Sequence, residues 1–335
     1  MNNKSRRNRT QRITVAQDGT GDFTSILQAV LAVEDSRSED EEAVIHIRPG
    51  VYEEKVFVRK QNLRLQGEDA RTTVLRFGDG AKKPRPDGSG EYGTFNTATL
   101  FLAGDRITVE NLTIENTAGP GSEAGQALAV YAASDRTKFC RCRLIGYQDT
   151  LFTGDVSDQL YRLMLPDYIL NSKVPMIFPL TRNVFEDCFL CGDVDFLFGP
   201  NTVFFSNCEI YSRRLESEAQ SYITAASTPA GQEFGYVFSH CRLTGDAAPK
   251  SVFLGRPWRD FAKTAFVECE LGPHIAPVGW SNWGRPRAEA NLQYLEVLCT
   301  GPGAVSHDRA PFAKILPSPD LLDYFSRENV LAGWN

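Results

Sequence analysis

Apolar residues along this chain fall in short runs separated by glycine and polar turns, and most of the runs read as strands. Val44–Ile47, Val56–Val58, Leu63–Leu65, Val74–Leu75, Thr97–Leu102 and Ile107–Asn116 are each bounded by turn residues. Ahead of them, Ile13–Ala16 predicts a short strand and Asp18–Asp22 a turn. Ser25-x-x-Gln28 predicts a capping box that opens an amphipathic helix through Ile26, Val30 and Val33. Residues 39–42 are all acidic and read as a solvated loop. Residues 78–94, rich in Gly, Pro and Lys, read as a surface loop and a candidate rim.

A register runs through the later strands. Phe139–Leu144, Phe185–Leu190, Phe205–Ile210, Phe238–Leu243 and Phe266–Leu271 share the frame aromatic-x-x-Cys-x-aliphatic, and Val109, Leu112 and Ile114 occupy it earlier with Leu in place of Cys. The cysteines of this frame, Cys142, Cys188, Cys208, Cys241 and Cys269, are 46, 20, 33 and 28 residues apart. The shortest step is the length of one complete coil and the others are one coil plus an insertion, the pattern of a solenoid with loops pushed out on one face. The fold class is therefore all-β, a parallel β-helix, with the helix at Ser25 capping the open end of its core. A β-sandwich would show more even spacing and hairpin turns. The longest excursion, residues 154–180, carries Tyr161, Tyr168 and Phe178. Ser318-Pro319-Asp320 predicts a helix start in a C-terminal tail that packs back on the solenoid.

With 335 residues, 42% of them apolar, the chain can bury a full core, and a net charge of −6 argues against a nucleic-acid partner. Lys4, Arg6, Arg7, Arg9 and Arg12 make residues 1–12 a flexible basic tail ahead of a single domain over 13–335. No apolar run follows them that would make a signal sequence or a membrane span, so the chain is either cytoplasmic or secreted after loss of a signal. Cys188 and Cys191 form C-x-x-C, but an odd separation on a strand points them to opposite faces, which disfavours chelation. Cysteines repeating in one frame read as a buried ladder of free thiols rather than a disulfide framework.

Two stretches set a carboxylate among apolar neighbours: Tyr147–Phe152 around Asp149, and Gly192–Gly199 around Asp195. A buried charge is costly unless it is paired, protonated or functional. Each Asp follows a frame cysteine by seven residues, so stacked coils place the two carboxylates about one strand spacing, roughly 4.8 Å, apart. Carboxylates that close do not both ionise readily, which leaves one acid and one base or nucleophile. The plainer reading of both is a pair of turn or N-cap aspartates.

Gly50–Glu54, Gln126–Val130, Tyr147–Leu151, Gly192–Gly199 and Leu254–Trp258 come in the order and with the residues of the pectinesterase, or pectin methylesterase, family, which the chain resembles from about Ile13 to Pro311. The resemblance implies a right-handed parallel β-helix whose cleft, along one sheet, holds a pectin chain. It makes Asp195 the nucleophile on the C6 methyl-ester carbonyl of galacturonate, and Asp149 the acid that protonates methanol and then the base that activates water. Gln126 and Gln148 match the anion-hole amides, and Arg256 matches the arginine that holds the nucleophile bidentately. Trp258, Trp280 and Phe152 are implied aromatic walls for sugar rings, with Thr99 and Arg213 as further substrate contacts; all three aromatics have the alternative of simple core packing. Tyr52 and Glu54 read as structural. The long 154–180 excursion departs from compact plant-like members.

The expected activity is hydrolysis of methyl esters in homogalacturonan or oligogalacturonides, by a monomer without cofactor or metal. Two other readings stay open. One is a backbone-cleaving solenoid, either a lyase with a Ca²⁺ carboxylate cluster or a hydrolase with a flanking acid and base. The other is a non-catalytic carbohydrate-binding solenoid. A serine esterase is disfavoured, because the chain has no G-x-S-x-G and only four His.

Overall fold

The computed structural model describes residues 10–35, 41–155, 165–176, 178, 181–215, 220–304 and 307–334. Every strand pairing among the named strands is parallel, and the strands form two sheet surfaces, one of eight strands and one of sixteen. Two long strands, Val56–Gly67 and Leu100–Glu110, make the larger surface branch. One branch continues through Val130–Asp135, Leu151–Thr153, Val194–Gly199, Ser221–Ala226 and Val252–Gly255. The other continues through Thr137–Cys140, Arg182–Glu186, Thr202–Ser206, Tyr236–Ser239 and Lys263–Val267. The result is a three-faced parallel β-helix. The strands predicted separately over 56–65 and 97–110 are parts of these long elements, each bent at a residue in the left-handed region, Asn62 and Arg106.

The predicted frame is the turn between two of the faces. Asn111, Arg141, Asp187, Asn207, His240, Glu268 and Leu298, each just before a frame Leu or Cys, all have φ between 50° and 55°. That conformation turns the chain and drives the next residue into the core. Each frame thiol then donates to the carbonyl of the frame residue one coil back: Cys142 to Val109 O at 3.2 Å, Cys208 to Phe185 O at 3.4 Å, Cys269 to Phe238 O at 3.4 Å. Burial pushes the Cys142, Cys188 and Cys208 thiols well above the ordinary range, so they are structural rather than reactive. Cys299 adds a further rung that the sequence frame hides, because Glu296 stands where the aromatic would be. The frame phenylalanines stack face to face, Phe139 on Phe185 at 4.6 Å and Phe205 on Phe238 at 4.3 Å. Cys188 and Cys191 do separate as expected: Cys188 joins the core ladder, whereas Cys191 lies outside that core beside Arg213 and Asp193, its thiol pushed up to about 11 by burial.

The helix Ile26–Ala32 covers one end of the core with Ile26, Ala29 and Val30. Ser25 caps it by accepting from Gln28 N at 3.2 Å. The reciprocal partner is Glu54 rather than Gln28: its carboxylate accepts from Ile26 N, Leu27 N and Ser25 Oγ, which gives the structural role expected of Glu54 a definite form. The first strand starts at Gln11, so Arg12 is in the sheet, and residues 1–9 lie outside the described residues. At the other end, Ser318 caps a short 3-10 turn, and Phe325, Val330 and Leu331 pack against Val184, Phe204, Val237 and Ala265 on the outside of a sheet. The tail does pack back.

Candidate active site

Register brings the two aspartates together. Leu144 pairs with Leu190 and Leu151 with Leu197, the same offset before and after the aspartates, so Asp149 and Asp195 occupy equivalent places on adjacent coils. Asp149 N donates to Val194 O at 3.0 Å. Both residues have left-handed backbone, φ 64° and 51°. For Asp195 this marks a bulge: between Val194 and Leu197 the strand carries one residue more than its partner Tyr222–Thr224. Bulges re-aim side chains, and this one lifts a carboxylate out of an apolar run. The bounding glycines allow the coils to close up. A Cβ at Gly192 would lie 2.6 Å from Tyr147 O, and Gly199, with φ 132°, meets Thr153 O still more tightly.

Arg256 grips the bulged residue. Its Nε donates to Asp195 Oδ1 at 2.8 Å and its Nη2 to Asp195 Oδ2 at 2.6 Å, a bidentate pair. The guanidinium lies between two rings, Tyr222 at 3.9 Å and Trp283 at 3.8 Å. Burial raises the Asp195 pKa above the ordinary range while Arg256 opposes the rise. Asp149 has no such partner. Burial, and then the negative charge of Asp195, push its carboxyl well above the usual range, with Arg256 only partly offsetting them. The two carboxyls are thus treated unequally: both are raised by burial, but Asp195 has Arg256 to oppose the rise, whereas Asp149 is raised further by the charge of Asp195.

Both aspartates open on a cavity of about 830 Å³ that also takes in Gln126, Gln148, Arg256, Trp258, Phe198 and Trp283. Neither glutamine amide has a hydrogen-bond partner among the described residues, so both are free to meet a ligand. Gly121 makes room for one of them, since a Cβ there would collide with Gln148 Oε1. Thr94, the last residue of the predicted rim loop, and Phe95 after it close one side of the cavity.

Four predicted substrate contacts lie elsewhere. Trp280 is 1% exposed, stacks on Tyr294 at 4.2 Å and donates to Glu296, so it is core; Trp283, three residues on, is the wall. Trp280 continues the sheet by pairing with Gly255, which turns its ring inward, whereas the chain turns at Trp283, with φ 55° and its N–H on Ser281 Oγ. Phe152 lies beneath the cavity, packed among Phe95, Tyr131, Phe198 and Trp258. Thr99 is fully buried with its hydroxyl on Glu115 O. Arg213 donates to Gly146 O at 2.8 Å and covers the Tyr147 ring, behind the turn that carries Gln148 and Asp149. Sequence reasoning missed Trp283, Arg259, Thr94 and Phe95. Of these only Trp283 left a signal, as the second Trp of Gly279–Trp283.

A carboxylate-bearing, aromatic-walled cleft on one face of a parallel β-helix defines the class: a carbohydrate-active β-helix enzyme. The pectinesterase family pattern matches residues 12–165 and 176–331. Pectinesterase 31 of Arabidopsis thaliana is 32% identical over 92% of this chain and 88% of its own length, and Pectinesterase 2 of Citrus sinensis is 32% identical over 96% of this chain and 58% of its own. Among solved structures, the pectin methylesterase from carrot superposes with a TM-score of 0.80 at 29% identity, covering 96% of this chain and 93% of that one. A pectin methylesterase in complex with a hexasaccharide gives 0.77 at 27% identity, with 98% of each covered. The chain belongs to the pectinesterase family and is a carboxylic ester hydrolase.

Proposed function

We propose that the cavity removes C6 methyl esters from galacturonan through a covalent intermediate on Asp195. An oxygen of the Asp195 carboxylate attacks the ester carbonyl, and the negative charge that develops on the carbonyl oxygen is met by the Gln126 and Gln148 amides. As the bond to the methoxy oxygen breaks, Asp149 gives it a proton and methanol leaves, with a mixed anhydride remaining on Asp195. Asp149, now a carboxylate, takes a proton from water, which attacks the anhydride at the galacturonyl carbonyl and frees Asp195. Arg256 holds Asp195 in the attacking orientation throughout, and Trp258 and Trp283 offer ring faces to the sugars on either side.

The observation that carries this reading is the unequal treatment of two adjacent carboxyls: one is clamped bidentately by Arg256, and the other is buried without a cation of its own. The hexasaccharide bound by a solved pectin methylesterase supports a saccharide in the cleft. The test is methanol release from methyl-esterified pectin beside a reducing-end assay, for the native chain and for Asp195→Ala. Methanol without new chain ends, lost in the variant while the circular dichroism of the fold persists, is expected. New reducing ends would move the chemistry to the glycosidic bond, and methanol release undiminished in the variant would remove Asp195 from the nucleophile's role.

A further inference from the structure

The family pattern passes over residues 166–175, and that stretch lies on the outer face of the sheet that carries the cleft. Phe57, Phe101, Tyr131, Phe152 and Phe198 stand in register on successive strands of that sheet, and Ala225 continues the row towards Arg256. They belong to an apolar cluster separate from the solenoid core. In an open cleft such a row would be a floor for sugar rings. Here Phe101 and Tyr131 are 1% and 0% exposed, and Leu165 and Ile169 join their cluster beside Phe95, which packs on Tyr131 at 5.9 Å. The inserted segment is also pinned by polar contacts. Arg59 Nε donates to Val174 O at 2.6 Å and its Nη1 to Ile169 O at 2.5 Å, and Tyr168 OH donates to Phe57 O at 3.3 Å. A helical turn, Asp167–Leu170, packs on the Val56–Gly67 strand.

The opposite flank is different. Beyond Asp195 the strands carry Tyr222 stacked on Phe253 at 5.1 Å, and a second open concavity of about 900 Å³ follows, with Gln220, Lys250, Phe253 and Asp308 in its walls. The Phe253 ring offers a face to a sugar, and Gln220 and Lys250 carry donors for its oxygens. Among the described residues, the cleft thus has one closed end and one open end.

Resting on the pectin methylesterase reading above, we infer that the inserted strap is a specificity determinant, which ends the substrate chain within about two strand spacings, roughly 10 Å, on the N-terminal side of the Asp149–Asp195 pair. A pyranose ring advances a chain by about one strand spacing, roughly 5 Å, so only one or two rings fit on that side. The substrate class is methyl-esterified uronate oligomers, or the end of a longer chain, with the remaining rings lying towards Phe253 and Lys250.

The experiment uses fully methyl-esterified oligogalacturonides from dimer to hexamer together with pectin polymer, and reads kcat/KM against length and, by mass spectrometry, which ring loses its methyl group. For the native chain, kcat/KM is expected to level off within the series and methyl loss to be confined to rings near one terminus. Replacing residues 166–175 by a Gly-Ser linker should raise the ratio of hexamer to trimer kcat/KM by on the order of tenfold, equivalent to about 1.4 kcal/mol of newly usable binding, and spread methyl loss to internal rings. Arg59→Ala, which loosens the strap without removing it, should move both readouts the same way by less. Both are ratios within one preparation, so partial misfolding of a variant cancels. Internal methyl loss and rates that climb with length in the native chain would overturn the proposal, as would variants that keep the native profile. No methanol from any substrate would instead overturn the esterase reading, and this one with it.

Discussion

Of the arginines that grip a carboxylate with a two-point fork, Arg309 and Arg256 show how the surroundings of such a pair separate scaffold from site. Arg309 donates to both oxygens of Glu296, at 2.8 and 2.9 Å, and its other donors reach Ala276 O, Pro277 O and Gly303 O. Glu296 accepts Trp280 Nε1 as well. With side chains 2% and 3% exposed, that pair is saturated and dry. Arg256 and Asp195 are 18% and 9% exposed, and beyond its two bonds to Asp195 the guanidinium has no further hydrogen-bond partner among the described residues, only ring faces. A buried ion pair that satisfies every donor locks a structure; one that keeps lone pairs turned to a cavity is available for chemistry.

The sharpest way to break this contrast is to cut both pairs and compare what is lost. Glu296→Ala leaves the Arg309 guanidinium buried without its counter-charge, and should cost about 3–5 kcal/mol of stability in denaturant unfolding, with turnover per folded molecule close to native. Arg256→Lys keeps a positive charge but loses the fork and the fit between two rings. Turnover should fall about 10²-fold, equivalent to about 2.7 kcal/mol of transition-state stabilisation. Its stability should change far less than that of Glu296→Ala, because the lysine keeps the counter-charge beside Asp195. If Arg256→Lys unfolds the protein, or Glu296→Ala spares stability and removes activity, the two pairs have been given each other's roles.

The same contrast explains what the sequence could reveal. The solenoid was legible because one turn conformation recurs in every coil and leaves a fixed frame, aromatic-x-x-Cys-x-aliphatic, behind it. The aspartate pair was legible for the same reason, since its register rides on that frame. Arg256, Gln126 and Gln148 came from motif resemblance, and all three line the cavity. The choice of Trp280 over Trp283 failed because both sit in one motif, and only a single bridge to Gly255 decides which ring turns inward. Thr99 and Arg213 came from the same resemblance, but Thr99 turns its hydroxyl to Glu115 O and Arg213 covers Tyr147, which takes both off the cleft. Arg309 and Glu296 left no pattern at all, because the loop geometry that brings their partners together is not periodic. Tyr161, in the long excursion, lies outside the described residues.

The last comparison is within the catalytic pair, and its effect on melting is small but its sign is informative. Asp149 is held well above the ordinary carboxylate range by burial and by Asp195. An acid whose pKa is raised on folding is stable below its unfolded pKa, near 3.9, and loses stability as pH rises through the folded value, because the unfolded chain releases the proton more readily. Asp149→Asn keeps the shape and removes the proton equilibrium. Turnover should nearly vanish, since an amide cannot give methanol its proton. The melting temperature should rise above native at pH 7, and the gap should close as the pH is lowered towards 3.9. Thermal unfolding of both proteins across that range is the check. A variant that melts at or below native at neutral pH would mean that Asp149 is stabilised as a carboxylate, which would reverse the division of labour between the two aspartates.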